Sequence, residues 1–257
     1  QIAGLQRFQH LRDEQKEAIR HITQDEGDVT VVAGMAGTGK TTMLKAAREI
    51  WEEAGYVVRG AALAGKAADG LTNEAGIDSR TIAKTLHDIE AGWLTLTQKT
   101  VMIVDEAGMI GTRQMKRLLD EVEKARAKLV LVGDAKQLQP IEAGGPFAHF
   151  AERYGKAEMK DIIRQRDEWA REAVKDIAEG RASKMLDAYN ERGLLTIAPD
   201  REKAQQALIA EWKKEGVEKP EDNLIITGTN KETTILNRWA QTLRQEDQKI
   251  GEHYLTN

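Results

Sequence analysis

The stretch VTVVAGMAGTGKTTM, Val29 to Met43, decides the fold. Val29, Val31 and Val32 are β-branched side chains suited to a buried strand. Gly34, Gly37 and Gly39 then let the main chain turn back with its N–H groups pointing inward. A helix should start at Lys40, and its N-terminus brings partial positive charge and free N–H donors to the same place. The spacing Gly34-x-x-x-x-Gly39-Lys40-Thr41 is that of a phosphate cradle, in which the lysine reaches the outer phosphates and the hydroxyl ligates Mg²⁺. Thr38 and Thr42 belong to the same cradle. The competing reading is an ordinary strand-to-helix turn that ends in Lys-Thr, so a second motif is needed to decide.

That motif is Thr100 to Glu106, TVMIVDE: another buried-strand run, ending in adjacent carboxylates. In a doubly wound parallel sheet, ligand groups sit at the carboxyl ends of strands. Asp105 there can hold the Mg²⁺ that bridges phosphates, and Glu106 can orient and deprotonate an attacking water. An acidic pair after a strand can also be a helix cap; coupled to the cradle, it reads as catalytic. A third apolar run, Leu129 to Val132, ends in a polar loop in which Gln137 can touch the γ-phosphate, against the plainer reading of a turn stopped by Pro140.

Composition sets the outer bounds. The 257 residues are 40% hydrophobic and 31% charged, with no apolar run approaching a membrane span. A formal net charge of −4 means that any nucleic-acid surface must be a local basic groove. No cysteine is present, which excludes disulfides and thiolate metal sites, and the five histidines lack ligand spacing. The first residue is Gln and no signal segment follows, so the chain reads as a piece of something longer.

Around the cradle, the other elements fall into order. Leu11 to Ile22 has apolar residues at 11, 18, 19 and 22 and predicts an amphipathic helix carrying Gln15, whose amide can meet an adenine edge. A helix from Lys40 to Ala54 is followed by a strand, Tyr56 to Leu63, and a further helix opened by Gly65 and Lys66. Lys66 can contact a phosphate backbone. Ser79 to His87 reads as a polar loop feeding a short apolar segment, with Thr81 and His87 as candidate contacts. Thr112 to Ala125 is a covering helix. Ala143 to Pro146 reads as a flexible joint, after which a second domain begins. Arg164 lies in an arginine-rich segment and can face the γ-phosphate across a cleft. Helices at 168–179, 185–189, 200–215 and 230–244 are expected to alternate with strands at Leu194–Ile197 and Leu224–Thr227. Five tryptophans could suggest base stacking, but four lie at helical positions that suit packing, Trp93 lies in an irregular stretch, and none of the five is assigned a base contact.

Taken together, LRDEQKEAI, GMAGTGKTT, AGKAA, IVDEAGMIGTRQM, LVLVGDAKQLQPIEAGGPF and IIRQR resemble, in order and over roughly the whole chain, a superfamily 1 DNA helicase of the RecD-like type. The likeness is greatest to the helicase portion of conjugative relaxase-helicases. The resemblance implies an α/β P-loop NTPase: a RecA-like doubly wound parallel sheet over residues 1–146, then an incomplete second RecA-like domain over 147–257. It implies ATP with Mg²⁺, adenine recognition by Gln15, phosphate and metal binding by Lys40 and Thr41, and a metal and water pair in Asp105 and Glu106. By the same resemblance, Gln137 and Arg164 sense the γ-phosphate, and Lys66, Thr81 and His87 lie near single-stranded DNA along which the family moves 5′ to 3′. Other domains of a larger relaxase-helicase and a bacterial cytoplasmic setting are implied too. Two departures stand out. Leu63 and Ala64 occupy the place of a Pro-Thr pair before Gly65-Lys66, removing a hydroxyl, and the family's last two motifs do not occur before Asn257. The sequence therefore supports an ATP-driven single-strand translocase fragment, or else a nucleotide-binding accessory module without motor activity. A P-loop kinase fits less well, because Glu106 beside Asp105 suits water activation.

Overall fold

The computed structural model describes residues 7–24, 27–134, 145–162, 165 and 167–247. The chain divides into two compact units, Gln1–Glu179 and Gly180–Asn257.

The first unit is built on six parallel strands: β1 (Val29–Gly34), β2 (Val57–Ala62), β3 (Ser79–Thr81), β4 (Thr100–Val104), β5 (Lys128–Gly133) and β6 (Ala157–Met159). Their order across the sheet is β3-β2-β4-β5-β1-β6. Around them lie α1 (Asp13–Gln24), α2 (Lys40–Glu53), α3 (Gly65–Gly70), α4 (Ile82–Glu90), α5 (Thr112–Ala125), α6 (Pro146–Arg153) and α7 (Glu168–Ala178). A parallel sheet covered on both faces needs strands apolar throughout, and all five residues of β4 are buried. Successive side chains alternate between two cores. Val32, Ile103 and Val130 pack with α1 and α2, whereas Val31, Met102 and Leu131 pack with α4, α5 and α6.

Helix boundaries follow local chemistry. α2 starts after Gly39 and stops at Gly55, where φ is +79°; a left-handed residue ends a helix at little steric cost only when it is glycine. Gly60 on β2 sits so close to Ser79 that a Cβ there would lie 2.0 Å from its Oγ, so a glycine lets β3 dock as the edge strand. The Ser79–His87 region is thus no polar loop but β3 followed by α4. Three residues are too few to display an alternating pattern, and Ile82 and Leu86 belong to the buried face of a helix. Thr81 is the N-cap of α4, its hydroxyl accepting from the Lys84 N–H at 3.2 Å.

The break between units also falls later than residue 146. After Pro146 at the start of α6, Phe147 enters the core, and β6 pairs with β1 through Val32–Ala157 to Gly34–Met159. Gly145 and Pro146 thus lead into a packed helix; Ala143 and Gly144 lie outside the described residues.

The second unit contains α8 (Ala182–Asn190), α9 (Arg201–Gly216) and α10 (Asn230–Glu246). Trp212 Nε1 donates to the Asn223 carbonyl at 2.8 Å, and Arg201 pairs with Glu232 at 2.7 Å. Among its described residues there is no strand. Leu194–Ile197 and Leu224–Thr227, expected as strands, run as irregular chain with Ile197, Leu224 and Ile226 each more than four-fifths exposed. Their apolar content suits a sheet, but no described strand pairs with them.

Among the described residues of the first unit, one charged side chain is buried completely. The Asp88 side chain, on α4, accepts from Lys84 Nζ at 2.6 Å, from Arg80 and, at 3.3 Å, contacts His87 Nδ1. The Lys84 hydrogen bond, aided by Arg80 and His87, holds the Asp88 carboxyl at about 2 against the pull of burial. A carboxylate with a depressed folded pKa stabilises the fold above its unfolded value and loses that contribution as pH falls through the folded one. We expect Asp88→Asn to be less stable than the wild type at neutral pH, with the gap closing between about pH 4 and pH 2, measured by urea unfolding across that range.

Candidate nucleotide-binding site

The cradle forms where β1 leaves the sheet. Gly37 and Gly39 adopt φ of +81° and +83°, left-handed conformations that turn neighbouring N–H groups to one side. Gly34 is needed for closeness instead: a Cβ there would lie 3.0 Å from Thr38 Oγ1 and 3.1 Å from Met159 Cβ. Thr38 is buried and donates from its hydroxyl to the Met35 carbonyl at 2.9 Å. Lys40 Nζ donates to the carbonyls of Gly34 and Met35 at 2.7 and 2.9 Å, so its ammonium lies inside the loop's curve. Gln15 braces the loop from α1. Its Nε2 donates to the Gly39 carbonyl at 3.1 Å while its Oε1 accepts from the Arg12 N–H at 3.0 Å. Buried beneath the loop, Gln15 does not line the cleft.

Across the cleft stands the acidic pair. Glu106 has φ of +54°, a left-handed backbone that costs a non-glycine residue on the order of 1 kcal/mol or more. Its N–H donates to Asp105 Oδ1 at 2.9 Å. Burial pushes the Asp105 carboxyl up, opposed by that N–H and by the Lys40 charge. Glu106 is also pushed up, by burial and then by the Asp105 charge, and Lys40 again opposes. One lysine therefore acts on both carboxyls, which ties the cradle and the pair into a single electrostatic unit.

Between them lies a cleft of about 550 Å³. It is lined by the cradle residues Gly37, Gly39, Lys40, Thr41 and Thr42, by Asp105 and Glu106, and by Glu74, Gly133 and Asp134. The last three were not assigned roles from sequence. Asp134 closes the same apolar run that precedes Gln137 and was legible as a strand end. Glu74 was not: it comes from a π-turn, Leu71–Ala75, that continues α3 and is tied to α2 by Arg48 Nη1 donating to the Gly76 carbonyl at 2.7 Å. Lys66 is exposed at the start of α3, Thr81 ends β3 and caps α4, and His87 lies on α4. Gln137 and Arg164 lie outside the described residues.

Among the described residues there is no cluster of three His, Asp or Glu that could hold a metal unaided. The Thr41 hydroxyl and the Asp105 carboxylate are hard oxygen donors, the type Mg²⁺ takes alongside phosphate oxygens and water. The donor set fits that ion.

A parallel sheet with a glycine cradle after one strand and an acidic pair after another defines a P-loop NTPase domain, the class that binds nucleotide together with a metal ion. A family model described as an AAA domain matches residues 10–200, and the chain belongs to that family. It is similar to the probable conjugal transfer protein TraA of Sinorhizobium fredii, with 45% identity over 93% of this chain and 22% of that protein. It is similar also to the multifunctional conjugation protein TraI of Escherichia coli K12, with 26% identity over 95% of this chain and 16% of the relative. The ATP-dependent RecD2 DNA helicase of Deinococcus radiodurans matches at 33% identity over 53% of this chain and 20% of its own length. The RecD-like relationship expected from the motifs is thereby shown, and the chain spans about a fifth of the length of these relatives. No helix among the described residues is long and apolar enough to cross a membrane.

Two glycines hold the strand ends together behind the cleft. A Cβ on Gly133 would lie 2.8 Å from the Gly108 nitrogen, and one on Gly108 would lie 2.7 Å from the Asp134 carbonyl oxygen. Both obstacles are backbone, so neither can swing aside. We expect Gly108→Ala and Gly133→Ala each to lower stability by about 1–3 kcal/mol, measured by denaturant unfolding, and to weaken nucleotide binding. The same exchange at Gly65, where a Cβ would meet open space, should leave nucleotide binding unchanged.

Proposed function

We propose that this chain is the ATP-hydrolysing part of a single-stranded DNA translocase or helicase of the conjugative relaxase-helicase kind. The observation that carries the reading is the shared cleft in which the Lys40 charge acts on both Asp105 and Glu106. Lys40 is proposed to exchange its carbonyl partners for β- and γ-phosphate oxygens of ATP. Thr38, Thr42 and the N–H groups of Gly34 to Gly39 cradle the same phosphates. Mg²⁺ held by Thr41, Asp105 and the phosphates would neutralise charge on the transferring group.

Glu106 is the proposed base. It takes a proton from the water that attacks the γ-phosphorus, as the bond to the ADP oxygen breaks and ADP departs with the electron pair. A carboxyl raised by burial is a better base than an exposed one, and the Lys40 charge opposes that rise. The strained backbone at Glu106 supports this role, because such strain collects where a side chain must be aimed. Gln15 is proposed to act on the nucleotide through Gly39, whose carbonyl it holds. Gln137 and Arg164 are proposed to sense the γ-phosphate, and Lys66, Thr81 and His87 to lie along the DNA. The second unit is read as part of a second RecA-like domain, and the 5′ to 3′ direction is part of the proposal. A second reading, a nucleotide-binding module without motor activity, is favoured by the second unit, whose described residues form no strand.

The test is steady-state ATP hydrolysis by this chain with and without single-stranded DNA at low salt. We expect stimulation by DNA, its loss in Lys40→Ala, and a fall of a hundredfold or more in turnover for Glu106→Gln with ATP binding retained, in the range typical of removing a general base. Unchanged turnover in Glu106→Gln would overturn the assignment, and ATP binding with no stimulated hydrolysis would select the module. Because Glu106 is raised, turnover should be lost on the acid side at a pH above the ordinary glutamate value of 4.5, read from the pH–rate profile.

A further inference from the structure

The Asp88 cluster ends in an aromatic ring that the fold holds out in water. Trp93 is 71% exposed, although Leu94 and Leu96 just after it turn inward onto the core of α4 and α5. An indole so placed forgoes burial that its neighbours obtain. It is nonetheless fixed. Gly92, at φ +74°, turns the chain after α4, and the Trp93 and Leu94 N–H groups both donate to the Asp88 carbonyl, at 2.8 and 3.0 Å. Lys84 Nζ lies 5.1 Å from the centre of the indole ring, and the His87 ring lies 5.4 Å away, tilted by 59°. Those same two side chains reach the buried Asp88 carboxylate, as does Arg80 from β3. Asp88 thus orders a lysine, an arginine and a histidine through its carboxylate and the turn carrying an exposed tryptophan through its main-chain carbonyl, and two permanent cations against one anion leave this surface net positive.

We propose that Trp93, Lys84, Arg80 and His87 form a base-stacking platform for single-stranded DNA, with Asp88 as the group that fixes its geometry. This rests on the reading of the chain as a single-strand translocase and names where a base would be gripped. The chemistry matches the ligand on two counts. An indole face accepts any base without sequence preference, and flanking cations meet the phosphates on either side. The pre-ordered ring loses little freedom on binding, because Gly92 and the paired hydrogen bonds to Asp88 have already placed it. Thr81 begins the same helix, and His87, proposed above as a DNA neighbour, becomes the side support of the ring.

The experiment uses the whole 257-residue chain and two fluorescently labelled strands of equal length, oligo-dT and an abasic strand with the same phosphates, read by anisotropy at low salt. The wild type should bind oligo-dT more tightly than the abasic strand. Trp93→Ala should weaken oligo-dT binding roughly tenfold or more and leave abasic binding unchanged, whereas Trp93→Phe should recover most of the loss. ATP binding and DNA-independent hydrolysis should be unaffected in both variants, which reports that the fold is intact. Lys84→Ala should instead weaken both strands alike and reduce the salt dependence by about one counterion. If wild-type chain binds oligo-dT and Trp93→Ala binds it equally well, the platform is overturned while the translocase reading stands. Equal losses on both strands in Trp93→Ala would also overturn stacking. If the wild type binds neither strand at low salt, the DNA reading itself fails and the platform with it.

Discussion

The cradle and the acidic pair do not sit on neighbouring strands; β5 lies between β1 and β4, and everything in the site depends on crossing it. Adjacent strands are about 4.8 Å apart, so two steps set the cradle and the carboxylates roughly 10 Å apart, room for a phosphate group and its ion. The register staggers the strand ends, with Ala33 opposite Gly133 but Val104, the last residue of β4, opposite Leu131. A side chain at the end of β5 would push into the backbone of Ala107 and Gly108. Glycine at 133 is therefore a requirement of geometry, and it brings the loop after β4 and the loop after β5 into contact behind the cleft.

The electrostatics follow from that spacing. Burial raises both carboxyls, and a lone buried pair of like charges would tend to protonate. The Lys40 ammonium, arriving from the other side of β5, opposes both shifts. The lysine itself is held by two carbonyls of the cradle, and the cradle is braced by Gln15 through Gly39. A chain of specific contacts thus runs from α1 to the acidic pair.

A second organising charge, Asp88, does for the sheet edge what Lys40 does for the cleft. Its carboxylate collects Arg80, Lys84 and His87, and its main-chain oxygen fixes the turn that carries Trp93. Both arrangements place chemistry on rigid elements with the supporting partners buried, which is how a site keeps its geometry.

Much of this was legible from the chain itself, and the reasons differ by element. The runs VTVVAG, TVMIV and KLVLVG are rich in β-branched and apolar residues, which in a core covered on both faces favours a buried parallel strand, and the helix at Thr112–Ala125 shows its face in its spacing. The cradle and the Asp105-Glu106 pair were readable because phosphate and metal chemistry restrict residue type and interval. Tertiary structure decided the rest. The three-residue strands β3 and β6 carry too little pattern to announce themselves and exist because β2 and β1 offer free edges. The apolar segments at Leu194–Ile197 and Leu224–Thr227 look like strands but have no described partner, and a strand requires a hydrogen-bonding neighbour as much as a composition. Glu74 reaches the cleft through a π-turn, and Gln15 braces the loop from a separate helix; both depend on distances between residues far apart in the chain. Local sequence determines which conformations each segment favours, whereas which segments meet is settled by packing.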